Sequence, residues 1–176
     1  WARREELANE IESKKENSQY LPGIKIPQKV IADSSLRNCL KNSEIIISAV
    51  PSEFFRKTMK EIKPFYKNQI VVSVTKGFEH GTCKRMSQVI EDELKKAKIA
   101  VLSGPNHAEE VSIKMPTASV VASKDSKTAE IVADILATPN FKLYKIDDVV
   151  GTEICAALKN ISAMATGACD GLNLGD

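Results

Sequence analysis

Apolar residues in this chain fall into short unbroken runs, separated by longer amphipathic stretches. Ile45-Ile46-Ile47-Ser48-Ala49-Val50 is the clearest run and stops at Pro51. Ile70-Val71-Val72-Ser73-Val74 and Ile99-Ala100-Val101-Leu102 repeat it. Runs without alternation predict strands covered on both faces, as in a parallel sheet. Residues 52–63 and 83–97, which lie between them, read as helices. Two more strand candidates follow, Ala118 to Ala122 and Phe141 to Lys145, with a helix from Lys127 to Ala137 separating them. This alternation predicts βαβ units and an α/β fold on a doubly wound sheet.

The flanks are less regular. Leu7 and Ile11 lie four apart among charges, so residues 4–16 read as an exposed amphipathic helix. Tyr20-Leu21-Pro22-Gly23 carries turn chemistry and is expected to end it. Lys29-Val30-Ile31-Ala32 is a short strand candidate, and Asp33 or Ser34 is placed to cap a brief helix through Leu40. A final long helix is expected to begin near Gly151 and to carry Lys159.

Composition narrows the function classes. A chain of 176 residues is one large domain, or one domain with part of a second. It is long enough to bury a core without staples. The net charge of +2 argues against a nucleic-acid footprint, which needs a clustered basic face. Cys39, Cys83, Cys155 and Cys169 form no CxxC pair, and His80 and His107 are the only histidines, so no metal site is expected. Reduced thiols of a cytoplasmic protein are the default. No run is apolar and long enough for a membrane span. The chain starts at Trp1 and ends at Asp176 after a glycine-rich run, so both ends look cut and the sequence reads as a fragment.

Candidate chemistry clusters in the loops that leave the strands' carboxyl ends, where open parallel sheets bind ligands. Lys76 follows a buried strand and precedes Gly77, so its ammonium is expected over that edge; an ordinary loop lysine is the plain alternative. Gly104 lets a backbone approach a ligand closely. Asn106 and Glu109 have capping-box spacing, and a helix starting there would point free N–H groups into a cleft. His107 is a conceivable general base, although nothing near it in sequence orients it. Phe54 and Phe55 are core residues or flank a cofactor ring. Lys159 sits in Thr152-Glu153-Ile154-Cys155-Ala156-Ala157-Leu158-Lys159-Asn160, among small and apolar residues. A lysine there either snorkels to water or pairs with a carboxylate, or serves as a proton donor and acceptor.

The ordered set of Trp1-Ala2-Arg3-Arg4, Glu16-Asn17 through Gly23, Val50-Pro51-Ser52, Thr75-Lys76-Gly77, Leu102 through Val111, Glu153 through Asn160 and Ala168 through Asp176 resembles the NAD(P)-dependent glycerol-3-phosphate dehydrogenases. The resemblance implies a Rossmann-like, mostly parallel domain over residues 1–147, lacking its first βα unit, and the start of a helical substrate domain over 148–176. It implies interconversion of sn-glycerol 3-phosphate and dihydroxyacetone phosphate with NADP or NAD, supplying phospholipid synthesis. The fragment itself is expected to be inactive.

By the same resemblance, Lys159 is the proton acceptor or donor. Lys76 acts beside it, lowering its pKa and stabilising the developing alkoxide. Lys76, Gly104, Asn106 and Lys159 contact the substrate, while Arg3, Arg4, Phe54, Lys76 and Ala108 contact the cofactor. The family often has serine or threonine where Asn106 stands. Arg3 and Arg4, with no acid until Glu5, favour the 2′-phosphate of NADP; a solvated helix start is the alternative. Another lysine-dependent hydroxyacid or 6-phosphogluconate-type dehydrogenase fits the same lysine placement, and a non-catalytic nucleotide-binding module is the third reading. The implied partner is a small molecule, with a homodimer suggested by an exposed sheet edge.

Overall fold

The computed structural model describes residues 1–174. Gly175 and Asp176, the end of the glycine-rich stretch, lie outside the described residues.

Helix α1 (Glu5–Lys14) opens with Glu5 and Glu6 in its first turn and closes with Lys14 in its last, both favourable to the helix dipole. It stops two residues short of the expected end because Lys15 takes the left-handed conformation, φ 48°. The turn expected at Tyr20–Gly23 is partly a strand: β1 (Glu16–Asn17) pairs antiparallel with β2 (Leu21–Lys25) across a register irregularity. Lys29–Ala32 forms no strand among the described residues. Its apolar side chains find no sheet to cover them, and Ile31 is 77% exposed. The cap of α2 (Leu36–Leu40) is Ser35, whose hydroxyl accepts from Asn38 N–H at 3.3 Å. Asp33, expected as a cap itself, instead holds Ser35 N–H at 2.7 Å and the Asn38 amide at 2.9 Å.

The central sheet has the order β3 (Ile45–Ser48), β4 (Ile70–Ser73), β5 (Lys98–Ser103), β6 (Thr117–Ala122), β7 (Phe141–Ile146). β3, β4 and β5 are parallel, β6 runs antiparallel to β5, and β7 is parallel to β6. Strand β4 is buried along its whole length, which is why its sequence does not alternate.

The crossover helices α3 (Ser52–Ile62) and α4 (Met86–Glu93) lie on one face, packing Phe55, Met59 and Ile90 against Ile46 and Val71. Helix α4 is shorter than the expected 83–97, because Cys83 and Lys96 both have positive φ. Helix α6 (Ser126–Leu136) covers the other face, with Val132 and Ala133 against Val72, Ala100 and Val121. The reversal at β6 explains the change of face: a right-handed crossover starting from a reversed strand lands on the opposite side.

Strand direction also fixes where chemistry can happen. The carboxyl ends of β3, β4 and β5 share one edge, whereas β6 and β7 end at the other. Helix α7 (Val149–Gly171) starts at that far edge, capped by Asp148, whose carboxylate accepts from Gly151 N–H at 2.7 Å. It packs on β5 and β6 through Val149, Val101 and Ala122. Ten residues of helix rise about 15 Å, comparable to the length of β5, so the return path delivers Lys159 to the loop edge.

Candidate active site

Strand β4 ends in Val74-Thr75-Lys76-Gly77, and each residue of that loop is tied to a neighbour. Val74 N–H continues the ladder to the Ser48 carbonyl at 3.0 Å. The Thr75 hydroxyl donates to the Val50 carbonyl at 2.7 Å, which locks this loop to the one after β3. Gly77 has φ +111°, a conformation that strains any L side chain, and a Cβ there would meet Ser52 Oγ at 3.3 Å. Further on, Glu79 accepts from Arg56 Nε at 2.5 Å and Nη2 at 2.9 Å. Arg56 also reaches Asp92 at 2.8 Å and Glu93 at 2.7 Å. Loop and helices α3 and α4 thus share one cationic hub. The Arg56 guanidinium holds Glu79 at about 2, and Lys84 with Arg56 holds Asp92 at about 2.

With its loop fixed, Lys76 projects over the end of β5, where its Nζ donates to the Gly104 carbonyl at 3.5 Å. The Lys159 side chain arrives from α7 and lines the same cleft as Gly104, the residue that Lys76 reaches. Partial burial lowers the Lys76 ammonium below its ordinary value, and the Lys159 charge lowers it further. Much of Lys76 remains exposed, so solvent screens this repulsion. The adjoining cleft measures about 520 Å³, and Gly104, Pro105, Asp148, Thr152, Cys155 and Lys159 are among its lining. The chain therefore brings Lys76, Gly104 and Lys159 to one place.

Asn106 stands nearby in a different role from the expected cap. Helix α5 (Ala108–Ser112) starts one residue later, with His107 at its N-cap, and Asn106 turns instead toward β6. Its Oδ1 accepts from Ser119 Oγ at 2.9 Å, while its buried Nδ2 has no partner among the described residues. A buried donor without a partner is costly, so this group is available to a ligand oxygen. Gly104 is required by packing more than by ligand approach: a Cβ would sit 2.5 Å from Ser119 Oγ and 2.8 Å from the Ala118 carbonyl.

Arg3, Arg4 and Phe54 meet at a second cavity of about 450 Å³, beyond the end of β3. The Arg3 guanidinium lies 5.4 Å from the Phe54 ring centroid. Arg4 is engaged by Gln19 and by the Tyr20 hydroxyl, so the unforeseen hairpin supplies part of the wall. Phe55, by contrast, is fully buried in the core, which separates the roles of the two phenylalanines. Ala108 is exposed at the start of α5 and lines neither cavity. The described residues contain no group of three or more His, Cys, Asp or Glu that could hold a metal ion.

A family model described as the NAD-dependent glycerol-3-phosphate dehydrogenase N-terminus matches residues 1–129, and one for the C-terminus matches 148–176. The chain belongs to the NAD-dependent glycerol-3-phosphate dehydrogenase family. It is 45% identical over 177 residues to glycerol-3-phosphate dehydrogenase (NAD(P)+) of Moorella thermoacetica, covering all of this chain and 52% of that one. The enzyme of the same name from Clostridium acetobutylicum is 44% identical, with 100% and 53% covered. Among solved structures, glycerol-3-phosphate dehydrogenase from Coxiella burnetii superposes with a TM-score of 0.91 at 33% identity, over 100% of this chain and 54% of that one. The chain spans about half the length of the curated relatives it matches. The α/β fold with a mostly parallel sheet agrees with the sequence-based expectation and with these family members.

Sequence reasoning missed Ser119, Arg56 and the partners of Glu153. Glu153 lies in the stretch that carries Lys159, and its partner Arg85 is 68 residues away. Nothing local in the sequence joins them.

Proposed function

We propose that the whole protein interconverts sn-glycerol 3-phosphate and dihydroxyacetone phosphate with NADP or NAD, and that residues of this chain carry the proton step. The observation that supports this reading best is the meeting of Lys76 and Lys159 beside the Gly104 carbonyl, at the lip of a cleft. The names borne by the relatives point the same way.

The cavity at the end of β3 suits a dinucleotide: an aromatic face at Phe54 can flank a flat ring, and Arg3, Arg4 and Lys57 offer cations to phosphate. The arginines favour the extra 2′-phosphate of NADP. Ala108 is a cofactor contact on the family resemblance alone, since it lines neither cavity. A bound nicotinamide supplies hydride to C2 of the ketone, or accepts it in the reverse direction. Lys159 then donates a proton from Nζ to the oxygen that was the carbonyl, and takes it back on oxidation. Lys76 places a second positive charge over that oxygen and stabilises its developing negative charge. Asn106 Nδ2 and the backbone at Gly104 hold the substrate's hydroxyl groups.

The same proposal divides the chain into a cofactor-binding part, 1–147, and the beginning of a substrate-binding helical part, 148–176. It places the protein in the cytoplasm, where glycerol 3-phosphate feeds phospholipid synthesis. A homodimer completes it, on the ground that β7 is an edge strand of the central sheet among the described residues. No helix of the described residues is long and apolar enough to cross a membrane.

The test is an assay of the protein expressed from its full reading frame. Dihydroxyacetone phosphate reduction is followed with NADH and NADPH in parallel, beside a panel of hydroxy acids in the oxidative direction. Turnover of dihydroxyacetone phosphate is expected. Turnover of a hydroxy acid without it would overturn the substrate assignment.

A further inference from the structure

The clamp around Glu153 has no part in the proton step, yet it is the most buried charged contact that helix α7 makes. Glu153 is 5% exposed. Its Oε1 accepts from Ser87 N–H at 2.8 Å, and its Oε2 accepts from Ser87 Oγ and from Arg85 Nη1, each at 2.6 Å. Arg85 Nη1 also donates to Ser87 Oγ at 2.8 Å, so the three side chains close a ring. The carboxylate lies at the amino end of α4, where the helix dipole favours negative charge.

We propose that Glu153, held by Arg85 and Ser87, is a positioning residue that fixes the height and rotation of α7 and thereby keeps Lys159 beside Lys76. The significance of that placement for turnover rests on the function proposed above.

Three observations carry the inference. First, α7 meets the sheet near its start, where Val149 and Thr152 are buried, and Glu153 lies among those same contacts. Val149 packs in a small apolar cluster, but such contacts tolerate sliding and rotation far better than a ring of directional bonds does. Second, a buried ion pair is weak evidence for stability, and fixing register is its best-attested use. Third, α4 also anchors the other lysine. Its Asp92 and Glu93 hold Arg56, which holds Glu79 in the loop that carries Lys76. Both ammonium groups are thus referred to one rigid helix, Lys76 through its carboxyl-terminal end and Lys159 through its amino-terminal end.

The lever is long enough to matter. Lys159 lies six residues beyond Glu153, about 9 Å along the axis. With Nζ roughly 6 Å from that axis, a rotation of about 10° moves it by about 1 Å. A misplacement of about 1 Å at a reacting group can cost about 100-fold in rate.

The test uses the full reading frame with Glu153→Gln, Arg85→Met and Ser87→Ala. Two quantities are read for each variant: the titration of the Lys76 amine by NMR without ligand, and kcat with KM for the cofactor. Glu153→Gln keeps the shape but presents an amide N–H to the Arg85 donor. It and Arg85→Met are expected to move the Lys76 titration up toward its ordinary value and to lower kcat at least 10-fold, with cofactor KM within about twofold. Ser87→Ala, which removes one hydroxyl, shifts both quantities the same way by less. A folded Glu153→Gln protein with lowered Tm but unchanged Lys76 titration and kcat would reduce the clamp to a stability element and overturn the proposal. If the first two variants do not fold, Ser87→Ala decides on the same two readouts. A parent protein that turns over no dihydroxyacetone phosphate sinks the functional reading alone, because the Lys76 titration judges the clamp without any substrate.

Discussion

Replacing Gly104 by alanine tests whether the loop after β5 is held by packing on β6. The added Cβ would lie 2.5 Å from Ser119 Oγ, 2.8 Å from the Ala118 carbonyl oxygen and 3.0 Å from Ser119 Cα. Carbon atoms pack at about 3.5–4.0 Å, so all three contacts are too close. The Ser119 hydroxyl can rotate away, but it then gives up its 2.9 Å bond to Asn106 Oδ1. The Ala118 carbonyl has little freedom to yield, because β6 is paired to β7 there, with Ala118 opposite Lys142. The loop itself must move. Overpacking of this kind costs about 1–3 kcal/mol, and the lost hydrogen bond about 1 kcal/mol more. For a chain of this size each kcal/mol lowers Tm by about 2–4 °C, which gives a fall of roughly 4–16 °C. Thermal unfolding followed by circular dichroism reads this directly. Gly104→Ala combined with Ser119→Ala removes the first clash but not the second, so the double variant should recover part of the loss. A single variant melting within about 1 °C of the parent, with a Ser119→Ala change that adds independently, would refute the packing account.

Other outcomes follow from the hub and the second cavity. Glu79 and Asp92 are held at about 2, against ordinary values of 4.5 and 3.8. Depressed carboxylates stabilise the fold above their unfolded values and lose that contribution as pH falls toward 2. The stability gap between the parent and Arg56→Met should therefore be full at pH 6 and shrink from about pH 4.5 downward; urea midpoints at a series of pH values check this, and a constant gap would contradict it. Arg3→Ala should raise KM for NADPH about 10-fold or more while changing KM for NADH about threefold or less, as expected when one charge-assisted phosphate contact is lost; equal effects on both cofactors would show that Arg3 does not discriminate them. Phe55→Ala should cost about 3–5 kcal/mol because the ring is fully buried, whereas Phe54→Ala, at a half-exposed site, should leave Tm nearly unchanged and weaken cofactor binding.

Legibility in the sequence followed burial in part. Ile70–Ser73 could be read because a strand covered on both faces needs continuous apolar residues, a signal that survives without knowledge of neighbours; Ile45–Ser48 carries the same apolar run although Ile47 is 50% exposed. Lys29–Ala32 carries the same β-branched signal but lacks a pairing partner, and pairing is not a local property. The hairpin of Glu16–Asn17 with Leu21–Lys25 was hidden by Pro22 and Gly23, residues that ordinarily interrupt strands. Asn106 misled for a related reason: its spacing to Glu109 is right for a cap, but a better partner, Ser119, arrives only when the chain reverses into β6. Lys76 and Lys159 could each be suspected from the loop or helix that bears it. That they meet depends on α7 starting at the far edge of the sheet and running back, which only the antiparallel return of β6 and β7 produces.

The most direct measurement is the titration of the Lys76 amine, by NMR of selectively labelled lysine, in the full-length parent and in its Lys159→Met variant. Loss of the Lys159 charge should move the Lys76 titration upward, leaving it still below the ordinary lysine value because partial burial remains. An identical titration in both proteins would mean that the two ammonium groups do not share a site.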